Sequence, residues 1–134
     1  MTPLILIADD DFDNRVIAQE ALKAAGYRTL LAVNGLEAIA LVAEEKPDLL
    51  LLDLSMPMMN GWDVAKKIRK KEKGHHLPII AFTAHALVGE AEKAVAAGCD
   101  DYLAKPCAPK DIAKAVAGLL DRVGKRSLDE ARHG

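Results

Sequence analysis

The feature that most constrains the fold of this chain is a repeated alternation of short apolar runs with longer amphipathic stretches. The runs cover residues 4–8, 29–33, 49–52, 78–82 and 102–104, and helical spacing of apolar residues follows each. This pattern predicts five strand–helix pairs. Strands that are apolar on both faces are typical of a parallel sheet covered by helices on both sides. The predicted fold class is therefore α/β, with a single five-stranded parallel sheet flanked by five helices.

The length of 134 residues predicts one domain. We expect the last helix to end near Val123, so that the domain spans 1–124 and residues 125–134 form a polar tail without apolar periodicity. No apolar run approaches the ~20 residues of a membrane helix, and the first residues do not resemble a signal peptide. We therefore expect no membrane contact.

Charge and cysteine content narrow the possible partners. A net charge of −2 gives no reason to expect direct nucleic-acid binding. Two cysteines, Cys99 and Cys107, are too few for a disulfide framework, and their spacing does not fit a zinc site. We expect both to be packed thiols, and the predicted location is the cytoplasm.

Polar residues follow each predicted strand, where an open parallel sheet has its ligand crevice. Asp9 and Asp10 come after the first strand, Asp53 after the third, Thr83 after the fourth and Lys105 after the fifth. If the first and third strands are neighbours, three carboxylates converge. Two like charges about 4 Å apart repel by about 4 kcal/mol at an effective dielectric constant of about 20.

Such repulsion requires either bound protons or a cation. Oxygen ligands at a small site completed by water and phosphate favour Mg²⁺. The alternative is that Asp11 or Asp13 caps the first helix while the other carboxylates are solvated. The coincidence of the acidic run with Asp53 and Lys105 favours the metal site.

A carboxylate at the end of an apolar strand can act as a nucleophile toward phosphorus and form an acyl phosphate. Asp53 has this position. Lys105 and a metal ion would neutralise phosphoryl oxygens, and the Thr83 hydroxyl would donate a hydrogen bond to another. Taken singly, Thr83 could instead bond the backbone at its strand end, and Lys105 could be a solvated loop lysine.

The chain resembles the receiver domains of two-component response regulators, the chemotaxis-regulator-like family. Four motifs carry the resemblance, in order and at matching spacing over nearly all of residues 4–123. They are ILIADD at 5–10, LLDLSMPMMNG at 51–61, FTA at 82–84 and GCDDYLAKP at 98–106. The resemblance implies a flavodoxin-like, doubly wound sheet with strand order 2-1-3-4-5. It also implies a cis bond at Lys105–Pro106.

The resemblance further implies a role for each site residue. Asp53 would be the phosphoacceptor, and Asp10, Asp53 and the Ser55 carbonyl would bind Mg²⁺, with Asp9 in the outer coordination shell. The other roles are contact of Thr83 and Lys105 with the phosphoryl group, and rotation of Tyr102 as the switch aromatic. His85, two residues after Thr83, stands where family members vary, and the sequence leaves its role open.

The implied function is that of a signalling module rather than an enzyme, with phosphorylation and dephosphorylation of Asp53 its own chemistry. The phosphoryl donor would be a sensor histidine kinase or a histidine phosphotransfer protein. The downstream target would be a protein that binds the face formed by the fourth helix, fifth strand and fifth helix. We expect either a stand-alone receiver or a receiver excised from a hybrid histidine kinase.

Other function classes fit the sequence less well. An aspartate-nucleophile phosphatase of the haloacid dehalogenase type needs a second aspartate two residues after the nucleophile, where this chain has Ser55. A flavodoxin-like carrier needs a first loop that accepts phosphate, and the acidic run at 9–13 would repel it. A phosphorylation-independent interaction domain would not need every one of these site residues.

Two further segments are predicted to be solvated. The basic run at 66–73 is interpreted as one exposed helix face, with Ile68 on the core side. The adjacent His75 and His76 are interpreted as loop residues, because neighbouring side chains point apart and do not favour a shared metal.

Overall fold

A computed structural model describes residues 2–72, 76–84 and 89–133, with side chains through residue 124. Strands and helices alternate along the chain. The strands are β1 (Leu4–Ala8), β2 (Arg28–Ala32), β3 (Leu49–Leu52), β4 (Ile79–Thr83) and β5 (Asp101–Ala104). The helices are α1 (Phe12–Ala24), α2 (Gly35–Glu45), α3 (Gly61–Lys71), α4 (Glu90–Ala97) and α5 (Pro109–His133). Strands β2, β4 and β5 differ from the predicted runs by one residue at one or both ends.

Side-chain caps set the starts of three helices. Asp11, Asn34 and Asn60 each accept a hydrogen bond from a backbone N–H in the first turn of α1, α2 and α3, at 2.9, 2.8 and 3.0 Å. Such a cap is worth roughly 1 kcal/mol. The caps place the three helix starts at the carboxyl ends of β1, β2 and β3. Asp11 therefore does cap the first helix, as the alternative interpretation of the acidic run required.

The five strands are parallel, in the order β2-β1-β3-β4-β5, as the resemblance implied. Alternate residues point to opposite faces, so each strand contributes to two cores. One core lies beneath α2, α3 and α4 and includes Leu50 and Leu52. The other lies beneath α1 and α5 and includes Leu49 and Leu51. The predicted fold class is confirmed.

The last helix was predicted to end near Val123, and this was wrong. Helix α5 runs for 25 residues and ends at His133. Residues 125–133 contain no proline or glycine and are mostly good helix formers, so a helix already nucleated on the domain propagates through them. Whether the domain boundary lies at 124 stays a prediction. None of the helices in the described ranges combines the length and apolar character that a bilayer crossing requires.

Candidate functional site

Three carboxylates converge at the carboxyl end of the sheet. Asp9 and Asp10 follow β1, and Asp53 follows β3, which is the neighbour of β1. The backbone N–H of Asp53 donates to the Ala8 carbonyl at 2.9 Å and holds the two strand ends together. One carboxylate oxygen from each aspartate lies within 4.8 Å of the others. Asp9 and Asp53 are buried, and Asp10 is exposed, so the cluster is open to solvent on one side.

Asp53 directly follows the apolar strand β3, and few contacts compensate for the burial of its carboxylate. Its side chain is only 7% exposed, and its Oδ1 accepts one hydrogen bond, at 3.0 Å, from the Ser55 N–H. Burial raises the pKa of the Asp53 carboxyl, and the charges of Asp9 and Asp10 raise it further. The Ser55 N–H and the Lys105 ammonium act in the opposite direction without cancelling the shift. Ionised Asp53 is therefore a high-energy group in the metal-free protein.

Gly61 allows the chain after β3 to fold tightly over Asp53. A Cβ at this position would lie 2.6 Å from the Asp53 carbonyl oxygen, closer than real side chains allow. The Gly61 N–H also donates to the Leu54 carbonyl at 3.0 Å. The glycine in the motif at 51–61 is therefore required for the close approach of the α3 start to the site.

Lys105 is the cation of the cluster. Its Nζ donates to Asp9 Oδ2 at 2.6 Å and lies 3.6 Å from Asp53 Oδ2. The backbone N–H of Lys105 donates to the Thr83 carbonyl at 2.9 Å, which ties the end of β5 to the end of β4. The following Lys105–Pro106 bond is cis, as the resemblance implied. The lysine is thus positioned to bridge two of the three carboxylates.

The structure brings together most of the predicted site residues. Thr83, buried at the end of β4, lies in register with Ala104 of β5, directly before Lys105. Ser55 is exposed and contacts Asp53 through its backbone N–H. Tyr102 of β5 is partly buried against the core beneath α2, α3 and α4. His85 lies outside the described residues.

Two contacts at the site were missed by sequence reasoning. Arg15 of α1 donates from Nη1 to the Asp9 carbonyl at 2.8 Å. Lys105 Nζ lies 5.0 Å from the centre of the Phe82 ring, within the range of a cation–π interaction. One signal was available for Arg15, since it lies one helical turn after the Asp11 cap and can reach back toward the strand end. Phe82 carries no such signal because strand-end phenylalanines usually belong to the core.

The donor set of the cluster fits a hard divalent cation. The groups are three carboxylates, of which Asp10 is exposed to solvent. Oxygen ligands of this kind suit Mg²⁺. One lysine does not neutralise three carboxylates, and the remaining negative charge favours the binding of a cation.

A second charged cluster lies at the opposite, amino end of the sheet. Arg69 of α3 donates to the Gly98 carbonyl at 2.8 Å, to the Leu77 carbonyl at 2.7 Å and to Asp100 Oδ2 at 2.9 Å. It also pairs with Glu72. These contacts join the end of α3 to the segments that precede β4 and β5. The prediction that the basic run 66–73 is one solvated face was therefore wrong at Arg69.

His76 adds a partly exposed contact to the same cluster. Its Nε2 lies 2.7 Å from Asp100 Oδ1, while its side chain is 44% exposed. Both carboxylates of this cluster accept a further hydrogen bond from the backbone. Asp100 accepts from the Ile79 N–H at 2.8 Å, and Glu72 accepts from the Leu77 N–H at 2.9 Å. His76 is thus bonded rather than only solvated, and His75 lies outside the described residues.

Both cysteines are free thiols in the described part of the chain. Burial raises the pKa of the Cys99 thiol to about 11, and burial also raises that of Cys107. A thiol with a raised pKa carries little thiolate at neutral pH and is a poor nucleophile. These properties agree with the prediction that the cysteines are packed residues.

Comparison with known proteins assigns the chain to one family. The family model of the response regulator receiver domain matches residues 5–117. The chain belongs to that family and is a receiver domain of two-component systems. Receiver domains are in general signal switches, and they typically bind Mg²⁺ at an acidic aspartate cluster such as that of Asp9, Asp10 and Asp53. Membership also implies a kinase or phosphotransfer partner.

Individual relatives support the same assignment. The polar-differentiation response regulator DivK of Brucella ovis is 37% identical over 106 residues, which are 79% of this chain and 86% of the relative. The signal receiver domain of a LuxO repressor protein from Vibrio parahaemolyticus has a TM-score of 0.88 and 28% identity, covering 97% of this chain and 98% of its own. A CheY-like receiver domain protein from Methanospirillum hungatei has a TM-score of 0.86 and 28% identity, covering 94% and 99%.

Proposed function

We propose that this receiver domain accepts a phosphoryl group from a phosphohistidine onto Asp53, with Mg²⁺ bound by Asp10, Asp53 and the Ser55 carbonyl, and Asp9 in the outer coordination shell. The observation that carries the proposal is the convergence of three carboxylates within 4.8 Å beside Lys105. A cluster with this excess of negative charge is costly unless it serves to bind a cation.

The chemical step is nucleophilic substitution at phosphorus. A carboxylate oxygen of Asp53 attacks the phosphorus atom, a P–O bond forms, and the P–N bond of the phosphohistidine breaks with its electron pair passing to the imidazole nitrogen. The Ser55 N–H, 3.0 Å from Asp53 Oδ1, orients the nucleophile. When bound, Mg²⁺ would neutralise part of the negative charge on the phosphoryl oxygens.

Lys105 and Thr83 complete the proposed site. Lys105 Nζ, 3.6 Å from Asp53 Oδ2, is close enough to pair with a phosphoryl oxygen on Asp53 after a small displacement from Asp9. In this proposal Thr83, at the end of the neighbouring β4, would donate a hydrogen bond from its hydroxyl to another phosphoryl oxygen. Phosphoryl transfer needs little more than such positioning and charge stabilisation.

The proposed consequence of phosphorylation is a change in the protein-binding surface. Movement of the Thr83 hydroxyl toward the phosphoryl group would allow Tyr102 to turn inward, which changes the face formed by α4, β5 and α5. The shift requires that the phosphoryl group favour one of two states. The proposed phosphoryl donor is a sensor histidine kinase or a histidine phosphotransfer protein. The proposed downstream partner is a target protein that binds the changed face, and the proposed location is the cytoplasm.

Phosphorylation with acetyl phosphate and Mg²⁺ tests the site assignment. We expect the wild type to gain one phosphoryl group by intact-mass spectrometry and Asp53→Asn to gain none. Asp13→Asn is the matched control, since Asp13 is an exposed aspartate of the first turn of α1 outside the cluster, and it should react as the wild type does. Phosphorylation of Asp53→Asn at the wild-type rate would refute the assignment.

Amide chemical shifts with beryllofluoride, an analogue of the phosphoryl group, test the switch separately. We expect shift changes at the site to extend into α4, β5 and α5. Changes confined to α1 and α2 would contradict the proposed surface while leaving the phosphorylation site intact.

A further inference from the structure

A groove between α3 and α4 is not used by the phosphoryl chemistry. Trp62 and Lys66, four residues apart on α3, form one wall, and Lys93, Ala96 and Ala97 of α4 form the other. The cavity has a volume of about 360 Å³. This size is at the small end of the range typical of ligand pockets, roughly 300–1,000 Å³, and suits a few side chains rather than a whole domain.

The charged residues that line the groove are both lysines. Lys66 and Lys93 stand on opposite walls, and Lys70 continues the α3 row by one further helical turn. The walls also carry charges that do not line the groove: Arg69 of α3 is paired at the amino end of the sheet, and α4 has Glu90 and Glu92 in its first turn. The two charged side chains that line the groove itself are basic, and this charge is complementary to an acidic ligand.

The charge of Lys93 is only weakly neutralised within the protein. Its Nζ lies 3.8 Å from Glu90 Oε1, and the lysine side chain is 69% exposed. An exposed pair of this kind contributes little to stability, and a bound carboxylate can compete with it.

The indole of Trp62 gives the groove an apolar wall with one unused donor. Trp62 Nε1 is buried and has no hydrogen-bond partner among the described residues. A buried donor without an acceptor costs free energy, and few such donors remain in native proteins. Turning the indole toward the groove would present this N–H to an acceptor bound there.

We propose that the α3–α4 groove binds an acidic peptide segment of a partner protein, in which an apolar side chain is flanked by carboxylates. The apolar side chain packs between the Trp62 ring and the small side chains of Ala96 and Ala97. Carboxylates pair with Lys66 and Lys93, and a peptide oxygen accepts from the indole N–H. The small apolar wall distinguishes this ligand from a nucleic acid, which would need a longer basic track.

Peptide display on the whole chain tests the proposal. Short random peptides are selected on the wild type, and the enriched sequences are synthesised with a fluorescent label for polarisation measurements. We expect enrichment of acidic residues around an apolar residue. Because Trp62 is the single tryptophan of the chain, binding should also change its intrinsic fluorescence.

Charge reversal then locates the binding surface. The double variant Lys66→Glu with Lys93→Glu should weaken binding about tenfold or more. The matched control is Lys67→Glu with Lys114→Glu, which reverses two exposed lysines that do not line the groove, and it should change the affinity less than twofold. Trp62→Phe keeps an aromatic ring without the N–H and should weaken binding about fivefold.

Several results would overturn the proposal. They are a selection that enriches no acidic peptide, equal losses for the groove and control double variants, and unchanged Trp62 fluorescence at saturation. Displacement of the labelled peptide by single-stranded DNA at comparable concentration would assign the groove to nucleic acid instead. Circular dichroism of each variant separates a loss of binding from a loss of folding.

Discussion

At the amino end of the sheet one arginine meets two carboxylates and two carbonyl oxygens, whereas at the carboxyl end three carboxylates meet one lysine. Arg69 and its acceptors form a cluster in which each partly buried charge has a partner. Lys105 pairs with Asp9 and approaches Asp53, but it leaves an excess of negative charge. Arg69 bonds both carboxylates of its cluster and fixes the elements that it joins. At the carboxyl end three carboxylates share one lysine, and the excess of two negative charges is the basis of the proposed cation site.

The largest expected effect comes from removing the cation of the amino-end cluster. Arg69→Met removes the cation and leaves Asp100 and Glu72 partly buried without it, so we expect the free energy of unfolding to fall by about 3 kcal/mol. Urea denaturation in EDTA measures the loss. Arg69→Lys, which keeps the charge but not the planar set of donors, should fall between this variant and the wild type.

Lys70→Met is the matched control for Arg69→Met, because Lys70 is an exposed neighbour on the same helix. We expect its free energy of unfolding to lie within about 0.5 kcal/mol of the wild type. A loss below 1 kcal/mol for Arg69→Met would mean that the amino-end cluster is not structurally important.

Adding Mg²⁺ tests the carboxyl-end cluster. At ten times its dissociation constant, Mg²⁺ should raise the free energy of unfolding of the wild type by about 1.4 kcal/mol. Asp10→Asn and Asp53→Asn should gain much less at the same concentration, whereas Arg69→Lys should gain as much as the wild type. Equal stabilisation of all four proteins would show that the carboxyl-end carboxylates do not share a metal site.

Neutralising one carboxylate should stabilise the metal-free protein. We expect Asp53→Asn to be more stable than the wild type by about 1 kcal/mol in EDTA at neutral pH, because repulsion within the cluster is relieved and solvent screens part of it. Asp10→Asn should act in the same direction with a smaller effect, since Asp10 is exposed. Lower stability of both variants in EDTA would contradict the presence of repulsion.

The pH dependence follows from the direction of the Asp53 shift. The pKa of Asp53 is raised in the folded state above its ordinary value of 3.8, so the folded protein holds this proton more tightly than the unfolded chain does. Ionisation therefore lowers stability as the pH rises from that value through the raised pKa. The advantage of Asp53→Asn should be full at pH values above the raised pKa of Asp53 and should shrink as the pH falls toward 3.8.

The smallest expected effect is at the solvent-exposed margin of the amino-end cluster. His76→Ala removes the contact to Asp100 but leaves the Arg69 contacts in place, so we expect a loss of about 0.5 kcal/mol by urea denaturation. A loss as large as that of Arg69→Met would mean that His76, rather than Arg69, holds the cluster together.

The fold and the carboxyl-end cluster were predictable from the sequence because both depend on local patterns. Apolar runs such as Leu49–Leu52 indicate buried parallel strands, and a residue that directly follows a strand must lie at its carboxyl end. Asp9, Asp10 and Asp53 could therefore be placed before their distances were known. The strand order and the cis bond at Lys105–Pro106 needed the family resemblance.

The amino-end cluster was not predictable, because its partners are far apart in sequence. Arg69 and Asp100 are separated by 31 positions, and Arg69 stands within a run of lysines whose pattern indicates a solvated face. The continuation of α5 to His133 was missed for a different reason. Apolar periodicity reports burial, while the last turns of a helix need only propensity and a nucleated helix before them.

The shortness of the strands has a consequence for how this domain tolerates change. Strand β3 has four residues, so its first and last Cα atoms lie about 10 Å apart at roughly 3.3 Å per residue. Among the described residues the two clusters share no partner, and at such separations the energetic effects of substitutions usually add. We therefore expect that substitutions at the amino end change the stability of the domain without changing the proposed ion binding at the carboxyl end, so that the two properties can be altered independently.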